Sequence, residues 1–279
     1  MGKSLVFIKQ ETYFLLKIRL GIMLYIEQFV YSNKLRHTHP LERVIFALVT
    51  MIMALIIKDW QVHLLIIFFM VILLVHKAKI KASVILKLML IPLGFLIIGV
   101  LTIAFQISFS DLNYLFYFNI FNLNIGITAS SLQTAFNTLT VSLSAVSCLY
   151  FMTLTTPMVE IIYVLQKLKV PDSIIELMTL IYRFIFVFIN TAFNIYYAQQ
   201  ARYGHSTFKK SLNSFAILFG NLWGKAFFKS KNLLQSLESR GFEGNIKVLN
   251  PEYSFSRNNI ISFVLLDLLI FFTALFLSR

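Results

Sequence analysis

The chain has 279 residues, of which 58% are hydrophobic and 15% aromatic, and its mean hydropathy is +0.78. This composition excludes an ordinary soluble domain and is typical of a polytopic membrane protein. The formal charge of +13 indicates cytoplasmic loops that obey the positive-inside rule, so no nucleic-acid partner is predicted. A single cysteine, Cys148, excludes a disulfide framework and a cluster of thiolate metal ligands within the chain.

Residues 1–25 form an N-terminal extension with basic residues at four positions. Lys3, Lys9, Lys17 and Arg19 interrupt any apolar core of signal-peptide length, so no cleaved signal peptide is predicted. Two interpretations stay open. The stretch is either an amphipathic anchor on the inner leaflet or a non-native extension upstream of Met23.

An N-terminal transmembrane region follows over residues 26–155. The apolar runs 43–57 and 62–75 predict a transmembrane hairpin, and a third run covers 84–105. Pro92 in that third run predicts a kink whose freed backbone groups a neighbouring helix must satisfy.

Two further segments complete this region. Residues 106–125 contain one charged residue, Asp111, and many aromatics, which predicts an outer interfacial loop or a re-entrant turn. Residues 126–153 form a fourth span rich in Ser, Thr and Ala, a composition that favours close helix packing over a polar path.

Residues 156–245 read as amphipathic rather than uniformly apolar. Pro157 begins a short helix that Pro171 ends, and 174–203 predicts one long helix that leaves the bilayer partway. Apolar residues from Leu212 to Leu237 then recur in steps of three and four, which predicts a second long amphipathic helix.

Residues 246–279 contain a linker and a final apolar span at 260–277. Placing 58–60, 106–125 and the C-terminus outside leaves only Lys58 and Arg279 of the 25 basic residues on that side. We therefore expect a multi-pass protein of the plasma membrane with a cytoplasmic N-terminus and an outside C-terminus. Its predicted fold class is an all-α polytopic helical bundle with about five transmembrane helices and three cytoplasm-facing helices.

Both long amphipathic helices end on an arginine that stands shortly before a glycine, in "AQQARYG" (198–204) and "SLESRGFEG" (236–244). Arginine followed by glycine is a common arrangement at a helix C-terminus, where it meets unsatisfied carbonyls and the negative end of the helix dipole. An exposed guanidinium at such an end also suits an acidic pocket on a soluble partner. The repetition on one side of the membrane favours the second interpretation.

These stretches carry a family resemblance. Together with "TTPMVEIIYVLQKLKVP" (155–171) and "LMTLIYRFIFVFI" (177–189), they follow the order and spacing of the transmembrane T component of energy-coupling factor transporters. The segment "IEQFVYSNKLRHTHPLERVIFAL" (26–48) resembles the opening of the cobalt-type, CbiQ-like branch. The resemblance covers about residues 26–277.

The resemblance implies a non-catalytic subunit that couples two ABC-type ATPases to a membrane-embedded substrate-binding subunit. ATP and magnesium would bind to the partner ATPases, and this chain would bind no cofactor itself. Two X-Arg-X motifs would dock in grooves of the ATPases. By position these motifs are Ala201-Arg202-Tyr203 and Ser239-Arg240-Gly241.

The first motif departs from the Ala-Arg-Gly pattern of the family. Tyr203 occupies the glycine position, so we expect the helix to run one residue further, with a left-handed cap at Gly204. For the second motif the expected cap is Gly241.

Two charged residues lie within apolar spans, Arg183 and Asp267. Such groups usually find partners, so we expect either a pair between them or, for Arg183, a side chain that reaches the membrane surface. No metal site is predicted, because His37 and His39 have no third ligand nearby.

Three alternatives to a metal-ion T component remain open. One is a T component shared by several vitamin-binding subunits. Another is a membrane-embedded enzyme acting on lipid-linked substrates, which the 12 scattered acidic residues and the lack of a nucleophile–base pair disfavour. The last is a self-sufficient secondary transporter, for which no internal repeat is visible. The sequence has no P-loop, so we expect no ATP hydrolysis by the chain itself.

Overall fold

The computed structural model describes residues 30, 33, 35, 38–108, 114–120, 123–241 and 257–277. The predictions for residues 1–25 and for the linker after residue 245 lie outside the described residues, as does the sequence from 242 to 256. The chain divides into two compact units. One unit comprises Ile26–Pro157 with Glu252–Arg279, and the other Met158–Pro251 with Met1–Tyr25.

Helices dominate the described residues, which confirms the predicted all-α membrane bundle. They are α1 (Pro40–Ile56), α2 (Trp60–Ile72), α3 (Ala82–Ala104), α4 (Ala129–Thr155), α5 (Met158–Lys167), α6 (Asp172–Ala201), α7 (Phe208–Glu238) and α8 (Arg257–Leu277). A π-helical turn, Leu73–Lys77, extends α2.

Five described helical segments are long and apolar enough to cross a membrane, the number that the sequence predicts. They are Trp60–Lys77, Ala82–Ala104, Ala129–Thr155, Asp172–Ala201 and Asn259–Leu277. The observed set of membrane-spanning segments differs from the predicted set in one respect. Helix α1 has 17 residues and carries Glu42 and Arg43 in its first turn, which shortens its apolar part, whereas the 30-residue α6 qualifies.

The irregular loop or re-entrant turn expected at 106–125 is wrong as secondary structure, because the described residues of this stretch form a small antiparallel sheet. Its strands are β1 (Gln106–Ser108), β2 (Tyr114–Ile120) and β3 (Leu123–Thr128), in the order β1-β3-β2. Aromatic and β-branched residues favour strands, and only residues 121–122 separate the paired ends Ile120 and Leu123. The aromatic residues that suggested an interfacial loop thus also supply the strand propensity.

Helix α4 is the centre of its unit and packs against α1, α2 and α3. Its small residues allow this close approach, as the Ser, Thr and Ala content predicts. Ser144 and Ser147 donate to carbonyl oxygens three residues earlier, at 2.8 and 2.7 Å. Ser144 Oγ also lies 3.3 Å from His63 Nδ1 of α2, and Ser131 Oγ lies 3.0 Å from the Ala104 carbonyl oxygen of α3. Buried hydroxyls on α4 thus bond within the helix and also contact the neighbouring helices.

The predicted consequence of Pro92 is confirmed by a single hydrogen bond between helices. A proline in a helix leaves the carbonyl four residues earlier without its usual N–H donor, and that residue here is Leu88. The Tyr150 hydroxyl of α4 donates to the Leu88 carbonyl oxygen at 2.9 Å. The neighbouring helix thus satisfies the group that the proline frees.

The start of the described chain is tied to the C-terminal end of α4. Asn33 Nδ2 donates to the Leu154 and Thr155 carbonyl oxygens at 3.1 and 3.3 Å, and Arg43 also donates to the Thr155 carbonyl. Arg43 is completely buried. These donors satisfy carbonyls that a helix end leaves without partners.

The short helix α5 ends earlier than the sequence predicts. Pro171 was expected to end it, but the helix stops at Lys167, and Lys169 adopts a left-handed φ of 61°. The Lys169 and Val170 amides donate to the Gln166 and Leu165 carbonyls, the bond pattern of a Schellman cap. The cap, rather than the proline, therefore ends the helix.

Candidate functional site

The two long helices α6 and α7 carry both arginine motifs and form an antiparallel hairpin. Residues 202–207 join them. Across the pair, Gln199 Nε2 donates to the Ser214 carbonyl at 2.9 Å, and further from the turn Leu180 faces the same cleft as Ser236. One motif therefore lies at the turn of the hairpin and the other at its opposite end.

The first arginine end forms a Schellman cap. Helix α6 ends at Ala201, and Arg202 is its C-cap. The Tyr203 amide donates to the Gln200 carbonyl at 3.0 Å and the Gly204 amide to the Gln199 carbonyl at 2.8 Å. In this pattern the left-handed residue is Tyr203, with φ of 57°.

The expected left-handed cap at Gly204 is therefore one residue too late. Gly204 is required for a different reason, since a Cβ atom there would lie 2.8 Å from Ser214 Oγ and 2.9 Å from the Gln199 carbonyl oxygen. The Ser214 hydroxyl donates to the Gly204 carbonyl at 2.8 Å. The Gln199 carbonyl of α6 and the Ser214 hydroxyl of α7 thus leave no room for a Cβ atom at Gly204.

His205 fills the space under the turn. Its side chain is 9% exposed, and its ring centroid lies 4.6 Å from that of Tyr196 and 5.5 Å from that of Phe215. His205 Nδ1 and Ser211 Oγ are 3.2 Å apart, within hydrogen-bond distance. The turn is therefore packed against both helices.

Above this packed base the motif itself faces outward. Ala201 and Arg202 are exposed, and the Tyr203 side chain is 76% exposed. We call residues 201–205, together with Gln199, Ser211 and Ser214, the first end.

The second arginine end, Ser239-Arg240-Gly241, follows α7 directly and is exposed throughout. Gly241 adopts a left-handed φ of 74°, and its amide donates to the Glu238 carbonyl at 3.1 Å. Ser239 Oγ donates to the Ser236 carbonyl at 3.0 Å. Among the described residues, nothing lies within 4 Å of the Cβ position at Gly241.

Both ends place the guanidinium in the same local context. Each arginine directly precedes a left-handed residue at a helix C-terminus, where carbonyl groups favour a cation. An exposed arginine held on a rigid helix can form a bidentate pair with a carboxylate of another protein. Helix α7 has 31 residues, which places the two arginines about 45 Å apart, too far for one pocket.

The two intramembrane charges have different environments. Asp267 on α8 is half-buried, and its Oδ1 accepts a hydrogen bond from the fully buried Thr50 hydroxyl of α1 at 3.0 Å. Arg183 belongs to the other unit, where it lines a cleft between α6 and α7. The sequence did not indicate Thr50 as the partner of Asp267, because one of many helical threonines carries no distinguishing signal.

The residues that support the first end could not be predicted from the sequence either. Gln199, Ser211 and Ser214 are ordinary polar positions of amphipathic helices, and only the fold brings them to the turn. In the part of the chain that the structure describes, no group of three or more His, Cys, Asp or Glu residues is placed to hold a metal ion.

Comparison with known proteins extends these observations. The family model for CbiQ, described as cobalt transport protein, matches residues 31–249, a range that includes both arginine ends. An uncharacterized protein of Methanocaldococcus jannaschii is 32% identical over 249 residues, covering 89% of this chain and 92% of that protein.

Two named relatives match shorter stretches. The cobalt transport protein CbiQ of Salmonella typhimurium is 30% identical over 157 residues, covering 56% of this chain and 70% of that protein. A putative fused cobalt transport protein, CbiMQ, of Methanocorpusculum labreanum is 40% identical over 128 residues, covering 46% of this chain and 21% of that protein. With its membrane-spanning helices, the chain is a multi-pass membrane protein that belongs to the CbiQ family of cobalt transport proteins.

Proposed function

We propose that this chain is the coupling subunit of an energy-coupling factor importer. Two ABC-type ATPases dock on Arg202 and Arg240, and a membrane-embedded substrate-binding subunit contacts the membrane part of the chain. ATP and magnesium bind to the ATPases, whose movement displaces the two helix ends. The observation that carries the proposal is the pair of exposed arginines at opposite ends of one helical hairpin.

The geometry supports two docking partners rather than one. Each arginine needs its own acidic groove, because the ends are separated by about the length of α7, roughly 45 Å. Continuous helices between the ends are stiff enough to transmit a displacement from one end to the other. The name of the fused relative from Methanocorpusculum labreanum adds support for a lasting association with a second protein in the membrane.

The transported substrate is proposed to be a divalent cobalt or nickel ion, after the names of the family and of its relatives. Uptake of radioactive cobalt and nickel by cells that express the chain with its partner subunits tests this assignment. Uptake of a vitamin instead, with no metal uptake, would identify a shared T component.

The docking proposal is tested by co-expressing the chain with ABC-type ATPases encoded beside it and measuring co-purification in detergent. We expect the Arg202→Glu, Arg240→Glu double variant to lose the ATPases. Losing one partner of a desolvated charge pair costs about 3 to 5 kcal/mol, which is more than about a hundredfold in affinity at each end.

Lys225→Glu serves as the matched control, because it reverses an exposed charge on α7 away from both ends. The control should retain the ATPases and their ATP turnover. If the double variant also retained both, the docking proposal would be wrong.

A further inference from the structure

A cleft of about 260 Å³ lies between α6 and α7, away from both arginine ends. Its polar lining consists of Arg183 from α6 with Lys229, Asn232 and Ser236 from α7. Two exposed cationic residues and two neutral hydrogen-bonding residues therefore line the same cleft.

The two acidic residues nearest to this cleft along the helices, Glu176 and Glu238, do not line it. Glu176 precedes the cleft residue Leu180 by four residues and Glu238 follows the cleft residue Ser236 by two, which correspond to about 6 and 3 Å along the helices. No hydrogen bond or ion pair joins Arg183 or Lys229 to another residue that the structure describes. Both cationic residues line the same cleft, so an anion in it would be attracted by both.

The rest of the cleft lining is apolar. It consists of Leu180, Phe184 and Val187 of α6 and Leu233 of α7. Around Lys229, α7 presents further large apolar side chains outward, with Trp223 80% and Phe227 67% exposed. A ligand that suits the whole cleft therefore has a negative head and an apolar tail.

We infer that this cleft binds the headgroup phosphate of an anionic phospholipid and lays part of an acyl chain against its apolar lining. The planar guanidinium of Arg183 donates hydrogen bonds to the phosphate, while Lys229 supplies a second cation. Helix α6 is long and apolar enough to enter a membrane, which brings the cleft within reach of lipid. Phosphate binding would also explain why the charged residue Arg183 lies on an otherwise apolar helix segment.

Trp223 offers a direct probe. The chain has two tryptophans, so Trp60→Phe leaves Trp223 as the single fluorophore, about 9 Å along α7 from Lys229. This parent chain is reconstituted in phosphatidylcholine vesicles that contain either brominated phosphatidylglycerol or the same amount of brominated phosphatidylcholine. Bromine quenches tryptophan on contact, so we expect the anionic lipid to quench Trp223 more strongly.

Two double variants of the parent chain separate a site from general attraction. Each basic residue near a bilayer adds about fivefold to the affinity for anionic lipid, so Arg183→Gln with Lys229→Gln should reduce the preference about 25-fold. Lys209→Gln with Lys210→Gln removes the same charge from the far end of α7 and should leave the preference unchanged. Arg183→Lys should retain most of it, because the charge remains.

Several results would overturn the inference. Equal quenching by the two brominated lipids in the parent chain would show no preference for an anion. Equal loss in both double variants would show attraction by overall charge only, and absence of quenching by either lipid would place Trp223 away from the membrane. Reversal of the phosphatidylglycerol effect by inorganic phosphate, at constant ionic strength, would identify a free-phosphate site instead.

Discussion

The two arginine ends share a local motif but differ in what supports them. At the first end, Ser214 donates to the Gly204 carbonyl and His205 packs between Tyr196 and Phe215. At the second end, the described residues offer only bonds within α7 and its own cap. The same helix-ending sequence is thus fixed by tertiary packing in one case and by local backbone conformation in the other.

This difference changes the role of each glycine. Gly241 is needed for its left-handed φ of 74°, which a residue with a Cβ adopts at a cost. Gly204 is needed because the Gln199 carbonyl of α6 and the Ser214 hydroxyl of α7 leave no room for a Cβ. The first end is therefore sensitive to size, and the second to backbone conformation.

The largest effect is expected from an asparagine exchange at each glycine. Asparagine tolerates the left-handed conformation but adds bulk. Gly204→Asn should destabilise the hairpin by about 1 to 3 kcal/mol through overpacking, whereas Gly241→Asn should change stability by less than about 0.5 kcal/mol. Melting temperatures of the two purified variants in detergent measure the contrast. Equal losses would show that the two ends are supported alike.

A smaller effect is expected from removing one hydroxyl at each end. Ser214→Ala deletes the bond to the Gly204 carbonyl and should cost about 1 kcal/mol. Ser239→Ala deletes only a bond to Ser236 of the same helix and should be nearly neutral. Hydrogen exchange of the amides at the two ends provides the measurement. Faster exchange in the Ser239 variant alone would contradict the comparison.

The smallest expected effect is a gain in thermal stability. Tyr203 holds a left-handed φ of 57° without being glycine, which costs roughly 1 kcal/mol. Tyr203→Gly should therefore raise the melting temperature by a few degrees, in part offset by the greater freedom of glycine in the unfolded chain. Tyr163→Gly, within α5, is the control and should lower it. A lower melting temperature for Tyr203→Gly would mean that the tyrosine side chain stabilises the turn.

Much of the fold could be predicted from the sequence. Long apolar runs identified the membrane helices, and the Ser, Thr and Ala content of α4 predicted its close packing. The sheet at 106–128 could not be predicted with the same security, because aromatic residues suit both a strand and a membrane interface. The predicted end of α5 at Pro171 was also wrong, since the left-handed Lys169 gives no signal that a glycine would give.

The candidate site likewise has parts that the sequence predicted and parts that it did not. The two arginine motifs could be found by their order and spacing, and their roles as docking residues remain predictions. The expected cap at Gly204 was wrong by one residue, because the bond pattern that places Tyr203 in the left-handed position depends on where α6 ends. Nothing in the sequence pointed to Ser214 or His205 as supports of the turn.

The sequence by itself determined what is periodic or local: which segments are apolar enough for a membrane, which faces are amphipathic, and where an arginine stands next to a helix end. Tertiary structure alone decided which groups meet across helices, as when Tyr150 reaches the Leu88 carbonyl, or Ser214 reaches Gly204. The physical reason is that propensity and hydropathy act over a few neighbouring residues. Close packing and hydrogen bonding between helices depend on distances that only the folded chain sets.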